Sequence, residues 1–141
     1  IYMDRRLTWG ETPEMALKEI QDLDTTGKLK VEAAVYDTPT HTGYVYPVTK
    51  IYPAWKTPEE HACIQAGIET YKELFGKAPE VSRWTFSTNG VSIAGLHEIP
   101  CAGFGPGREE WAHAPNEMCS VEQLMQAALF YAFYPGHYVA R

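Results

Sequence analysis

The chain carries the same helix-starting device twice. Thr12-Pro13-Glu14 and Thr57-Pro58-Glu59 each offer a hydroxyl to cap free amide groups, a proline where no amide hydrogen is needed, and an acid facing the positive end of the helix dipole. Two such starts parcel the chain, because each commits the residues after it to a helix and leaves the intervals to extended backbone. After the first, Ala16, Leu17, Ile20 and Leu23 make an amphipathic stripe that fades at Gly27. After the second, Glu60 is placed to close a capping box on Thr57. Ile64, Ile68, Tyr71 and Phe75 then share a face, and Gly76 is a natural stop. A third helix opens at Ser120 with Gln123 in the box position and runs through Leu124, Ala128 and Tyr131 to an expected stop at Pro135-Gly136. It is apolar on most sides, so burial of most of it is expected.

The intervals read as strands. Tyr2 to Leu7, Leu29 to Tyr36 and Tyr44 to Ile51 are rich in β-branched and aromatic residues, and Arg83 to Ser87 and Ile99 to Phe104 are shorter runs suited to the inside of a sheet. The order is β-α-β-β up to residue 52 and α-β-β-α after it, joined by Tyr52-Pro53-Ala54-Trp55-Lys56. An α/β fold with two layers meeting at that joint is the expected architecture. The chain opens at Ile1 inside a strand-like segment, and a piece of a longer protein is the expectation. At 141 residues and 45% hydrophobic composition, an adequate core is expected.

Charge narrows the partners. With 12 basic against 18 acidic residues and a net charge of -6, there is no basic stripe to grip nucleic acid or anionic lipid. No apolar run approaches the roughly 20 residues of a membrane span. Cys63, Cys101 and Cys119 are an odd number without C-x-x-C spacing, so a reduced, cytoplasmic chain is expected rather than a disulfide framework.

The segment richest in chemistry runs from Cys101 to Glu117. Gly103, Gly105 and Gly107 follow a strand signal and permit sharp turns, which suits either an ordinary tight loop or a cradle of amide groups for an anion. The spacing is neither a dinucleotide fingerprint nor a P-loop. His113 sits between this loop and the third helix, stiffened by Pro115 and Asn116, with Glu117 near enough to accept a hydrogen bond. Imidazole is a common zinc ligand, though a solvated loop histidine has the same local pattern. Neither H-x-x-x-H, H-E-x-x-H nor a cysteine cluster occurs, so a self-contained metal site is hard to build. Arg5 and Arg6 follow Asp4. If the segment is a strand, one arginine pairs internally while the other points outward to grip a carboxylate or protect an edge. Ser87-Thr88-Asn89-Gly90 offers hydroxyls and an amide that suit substrate binding or plain turn chemistry.

Together these segments resemble the C-terminal portion of an M20-family metallohydrolase, one of the zinc aminoacylases, carboxypeptidases, dipeptidases and desuccinylases. Within that family the wording is most similar to the YgeY-like, selenium-metabolism-linked hydrolases. Met3-Asp4-Arg5-Arg6 with Gly10-Glu11-Thr12-Pro13-Glu14 resembles the Asp-x-Arg strand and helix of the lid domain. His61-Ala62-Cys63 resembles the start of the helix that returns to the catalytic domain, and Ser87-Thr88-Asn89-Gly90 stands where the family has Gly-Thr-Asp. Gly103-Phe104-Gly105-Pro106-Gly107 through His113-Ala114-Pro115-Asn116-Glu117 resembles the segment carrying the last metal-ligand histidine.

The resemblance implies a partial lid and dimerisation domain over residues 1–52 and the C-terminal part of a catalytic domain over residues 53–141. It implies that His113 is one ligand of a two-zinc site, that Arg6 binds the substrate carboxylate, and that Thr88 and Asn89 flank the substrate. Asn89 departs from the family's Asp. Gly103, Gly105 and Gly107 would support the site. The reaction implied is metal-assisted hydrolysis of an amide in a small acylated amino acid or dipeptide. The family's other metal ligands and its glutamate base precede the region matched, so no catalytic residue is assigned here. The chain is expected to need the missing N-terminal half of the catalytic domain, to hold no zinc alone, and to be inactive alone. Two other readings stand beside this one: a non-catalytic dimerisation or small-ligand-binding α/β module, and a phosphate-binding domain using the Gly103 to Gly107 loop.

Overall fold

The computed structural model describes residues 1–140. Its regular elements are helix α1 (Pro13–Gln21), strands β1 (Val35–Tyr36) and β2 (Val48–Thr49), helix α2 (Ala62–Phe75) and helix α3 (Val121–Val139). A π-helical turn at Val91–Leu96 and a 3-10 turn at Glu109–Trp111 lie between α2 and α3. The mixture of helices with a small sheet agrees with an α/β reading, but the sheet is far smaller than expected. β1 and β2 pair antiparallel with Val35 opposite Thr49 and Tyr36 opposite Val48. Tyr2 to Leu7, Arg83 to Ser87 and Ile99 to Phe104 are irregular, and the other two strand runs shrink to two residues each. Strand propensity places side chains on a pleat, but the backbone of a strand also needs a neighbour to take its amide and carbonyl groups. Among the described residues no neighbouring strand pairs with those three runs.

The helix starts divide differently from expectation. α1 begins as read: Thr12 Oγ1 accepts from Met15 N at 3.2 Å. α3 also begins as read, with Ser120 Oγ accepting from Gln123 N at 3.0 Å. α2, however, starts at Ala62 with His61 as its cap, whose Nδ1 accepts from Cys63 N at 3.2 Å. Thr57 is engaged elsewhere. Its hydroxyl donates to Cys101 O at 2.7 Å and accepts from Cys101 N at 3.1 Å, tying the entry of α2 to the start of the glycine loop. Gly76 closes α2 in a left-handed conformation, φ +68°.

α3 runs through Pro135 to Val139 instead of stopping there. Proline removes one helical hydrogen bond. Contacts beyond it favour continuation: His137 Nε2 meets Glu73 Oε2 of α2 at 2.9 Å, and the Tyr138 ring stacks with Tyr134 at 6.2 Å.

The core lies where α2 and α3 meet. Cys63, Ala66 and Thr70 of α2 are buried against Ala127 and Phe130 of α3, a small-residue face at the i, i+3, i+7 spacing. The bulkier stripe of Ile64, Ile68, Tyr71 and Phe75 is only half-buried. Small side chains win the interface because they let the helices approach. A Cβ at Gly67 would sit 3.6 Å from the Phe130 ring and 3.8 Å from the Tyr134 ring. Thr70 satisfies its buried hydroxyl on Ala66 O at 2.7 Å, and Tyr134 donates to Cys63 O at 3.1 Å.

Two further expectations fail. α3 buries only Ala127 and Phe130, leaving Val121, Leu124 and Met125 exposed. The core is also small, since no residue before Cys63 is buried. All three cysteines are free.

Candidate functional site

The glycine loop is docked by its own phenylalanine. Phe104 stacks on Phe130 with centroids 4.0 Å apart and meets Tyr71 edge-on at 6.1 Å. The Tyr131 hydroxyl donates to Phe104 O. Gly103 lies against Trp84, whose ring a Cβ would meet at 3.4 Å. Gly105 has open space around it, and Gly107 takes φ +105°, so the chain can turn sharply on either side of Pro106.

Beyond the loop, successive turns carry the chain to His113. Trp111 N donates to Arg108 O at 3.1 Å, Ala112 N to Glu109 O at 3.1 Å, and Ala114 N to Trp111 O at 3.0 Å. His113 is exposed and holds φ +63°, a left-handed conformation that costs most non-glycine residues energy. Glu117 Oε2 compensates by accepting the His113 backbone N–H at 3.0 Å, so Glu117 fixes the backbone of His113 and not its ring. The ring rests edge-to-face against Phe86, centroids 5.5 Å apart. Neither ring nitrogen has a hydrogen-bond partner among the described residues.

Phe86 belongs to the segment that leads into Thr88 and Asn89, and a second tie holds the same segment. Glu109 Oε1 accepts the Thr85 backbone N–H at 2.7 Å and the Thr85 hydroxyl as well. Those two donors hold the Glu109 carboxyl below its ordinary range. Thr88 Oγ1 accepts from Gly90 N at 3.1 Å, and Asn89 O accepts from Ser92 N and Ile93 N, which starts the π-helical turn. Gly90 is buried under Trp55. A Cβ there would collide with the indole ring, so Trp55 presses directly on this turn.

An open cleft of about 3280 Å³ is lined by Arg6, Thr88, Asn89, Gly103 and Gly105, among others, but not by Gly107, His113 or Glu117. Arg5 and Arg6 do take opposite roles, without a strand to separate them. Arg5 pairs with Glu11 at 2.5 Å and Glu19 at 3.2 Å, whereas Arg6 stays exposed with Asp4 at 3.2 Å. No hydrogen bond or ion pair among the described residues links Arg6 to Thr88, Asn89 or His113. Sequence reasoning missed Phe86, Glu109 and Trp55, because each acts on a residue many positions away and carries no local signature.

Zinc needs several donors. Among the described residues no group of three or more His, Cys, Asp and Glu side chains comes together. The free imidazole of His113 suits one ligand position, and this donor set does not fit a complete metal centre.

Comparison with known proteins adds the wider frame. A profile described as peptidase family M20/M25/M40 matches residues 11–135. The uncharacterized protein YgeY of Escherichia coli strain K12 is 49% identical over 142 residues, covering 99% of this chain and 35% of its own length, and the YgeY of E. coli O157:H7 matches to the same extent. The chain thus spans about a third of the length of these curated relatives. No solved structure matches it.

Proposed function

Since this chain belongs to peptidase family M20/M25/M40, a family of generally metal-dependent hydrolases, we propose that it is the C-terminal part of an enzyme cleaving an amide bond in a small acylated amino acid or dipeptide. The carrying observation is the family match over residues 11–135, which takes in Thr88, Asn89, His113 and Glu117. Arg6 lies outside that range, and its assignment rests on the Asp4-Arg5-Arg6 pattern that resembles the Asp-x-Arg strand of the family's lid. In this reading His113 is one zinc ligand, Arg6 takes the substrate carboxylate, and Thr88 and Asn89 flank the substrate. Residues 1–52 belong to a lid through which two copies dimerise, and residues 53–141 to the catalytic domain. The other ligands and the general base come from sequence that the relatives have and this chain does not span.

The open surface supports such a partner. The chain exposes 11328 Å², where a compact monomer of this mass has about 7,400 Å². Tyr2, Trp84 and Val121 are among the large apolar side chains left uncovered. A cytoplasmic setting without membrane or nucleic acid accords with the net charge of -6 and the three free cysteines. No helix among the described residues is long and apolar enough to cross a membrane.

The cleft gives one observation for a second reading. It gathers Arg6, Thr88 and Asn89 without His113, as a non-catalytic small-ligand-binding module would. Metal analysis separates the two. The first reading expects this chain to retain little Zn2+ after dialysis, and the full-length protein to hold Zn2+ and hydrolyse N-acyl amino acids or dipeptides, with His113→Ala reducing both. Unchanged metal content and activity in His113→Ala would sink it in favour of the module.

A further inference from the structure

We infer that Glu109 is a positioning residue: by fastening Thr85, it holds the segment that leads to Thr88 and Asn89 against the turn that presents His113, with the Phe86 ring as the contact face. The inference rests on the reading that places His113 in the site. Its geometry comes from two ties between segments distant in sequence. Glu109 takes both donors of Thr85 on one oxygen, the backbone N–H at 2.7 Å and the hydroxyl beside it. The next residue, Phe86, meets the His113 ring at 5.5 Å and 67°.

One tie alone would leave a hinge about which the segments could rotate. Two ties from adjacent residues fix both separation and rotation. They also act on different parts of the target: Glu109 anchors the 3-10 turn from which the chain climbs to His113, and Phe86 limits the imidazole itself. Phe86 lines the cleft that Thr88 and Asn89 line, while His113 stands outside it, so the Phe86 ring is the wall shared by the two. The Glu117 bond to the His113 N–H completes the arrangement, holding the backbone while Phe86 holds the ring.

The test is made on the full chain, reading the His113 ring-proton NMR signals and the exchange of the Thr85 amide. Phe86→Leu defines the His113 signals without the neighbouring ring current. Glu109→Ala is expected to move the His113 signals most of the way to those values and to quicken Thr85 exchange about tenfold, as loss of a charge-assisted bond would. Thr85→Ser, which keeps both donors, is expected to leave both readouts unchanged. Should Glu109→Ala not fold, Glu109→Gln keeps an uncharged acceptor and is expected to give the same shifts in smaller measure. Unmoved His113 signals in Glu109→Ala or Glu109→Gln, with Thr85 exchange faster, would overturn the inference, since the tie would then exist without positioning anything. A Zn2+ titration of full-length His113→Ala stands apart from this: unchanged uptake there refutes the functional reading, while the NMR result still decides the role of Glu109.

Discussion

Residues 1–52 and the unit formed by α2, α3 and the glycine loop are both rich in apolar residues, yet they are held together by different means. In the first region the ties are short in sequence and wet. Arg5 pairs with Glu11 and Glu19, Glu11 also accepts from Thr8 N and Oγ1, and Asp24 accepts from Thr26 and Leu29. No side chain there is buried. In the second region the ties are long in sequence and dry: Cys63, Ala66 and Thr70 close on Ala127 and Phe130, and Phe104 brings the loop onto the same surface. Apolar content does not separate the two. What separates them is that α2 and α3 present small faces that fit each other, whereas Tyr2, Met3 and Trp9 meet no such surface among the described residues.

The sharpest way to break this contrast is to remove the ring that both helices and the loop share. Phe130→Ala is expected to destabilise the α2 and α3 unit by about 3 kcal/mol or more, seen as a lower denaturant midpoint and loss of helix signal by circular dichroism. A loss under about 1 kcal/mol would mean that this core does not govern the region. Next in size is Gly90→Ala. The new methyl would collide with the Trp55 indole, and overpacking of this kind costs about 1–3 kcal/mol. Trp55→Ala in the same chain should recover part of that loss, and a stability equal to wild type for Gly90→Ala alone would show that Trp55 does not press on this turn.

The smallest effect is electrostatic and belongs to the first region. Backbone and side-chain bonds from Thr8, with Arg5 beside it, hold Glu11 at about 2, below its ordinary 4.5. Bonds from Leu29 and Thr26 hold Asp24 at about 2, below 3.8. A depressed carboxyl stabilises the fold fully above its ordinary value and loses that contribution as the pH falls toward its folded value. The protection factors of the Thr8, Thr26 and Leu29 amides, exchange taken relative to the intrinsic rate at each pH, are therefore expected to fall between pH 4.5 and 2, while the α3 amides around Ala127 stay protected. Earlier loss of protection in α3 would reverse the comparison.

The legibility of the site follows the same division. The bond from His113 N to Glu117 joins residues four apart, and a reading of Pro115, Asn116 and Glu117 as a stiff turn reaches it. The grip of Trp55 on Gly90, of Glu109 on Thr85 and of Phe86 on His113 joins distant segments, and nothing local in Phe86 or Glu109 marks them out. The mistaken start of α2 is the same lesson in reverse. Thr57-Pro58-Glu59-Glu60 is a sound capping signal, overridden because Cys101 takes the Thr57 hydroxyl.

The sequence by itself determined what depends on neighbours in the chain: the caps of α1 and α3 at Thr12 and Ser120, the glycine stop at Gly76, and the family to which the motifs around His113 belong. Those features rest on hydrogen bonds and backbone torsions spanning a few residues, so their cost and gain are settled locally. Tertiary structure alone decided which strand-like runs pair, that α3 passes through Pro135, that the small face of α2 is the buried one, and where His113 stands relative to the cleft. Each of these turns on a partner surface that must be brought from far along the chain, and propensity carries no information about whether that surface is there.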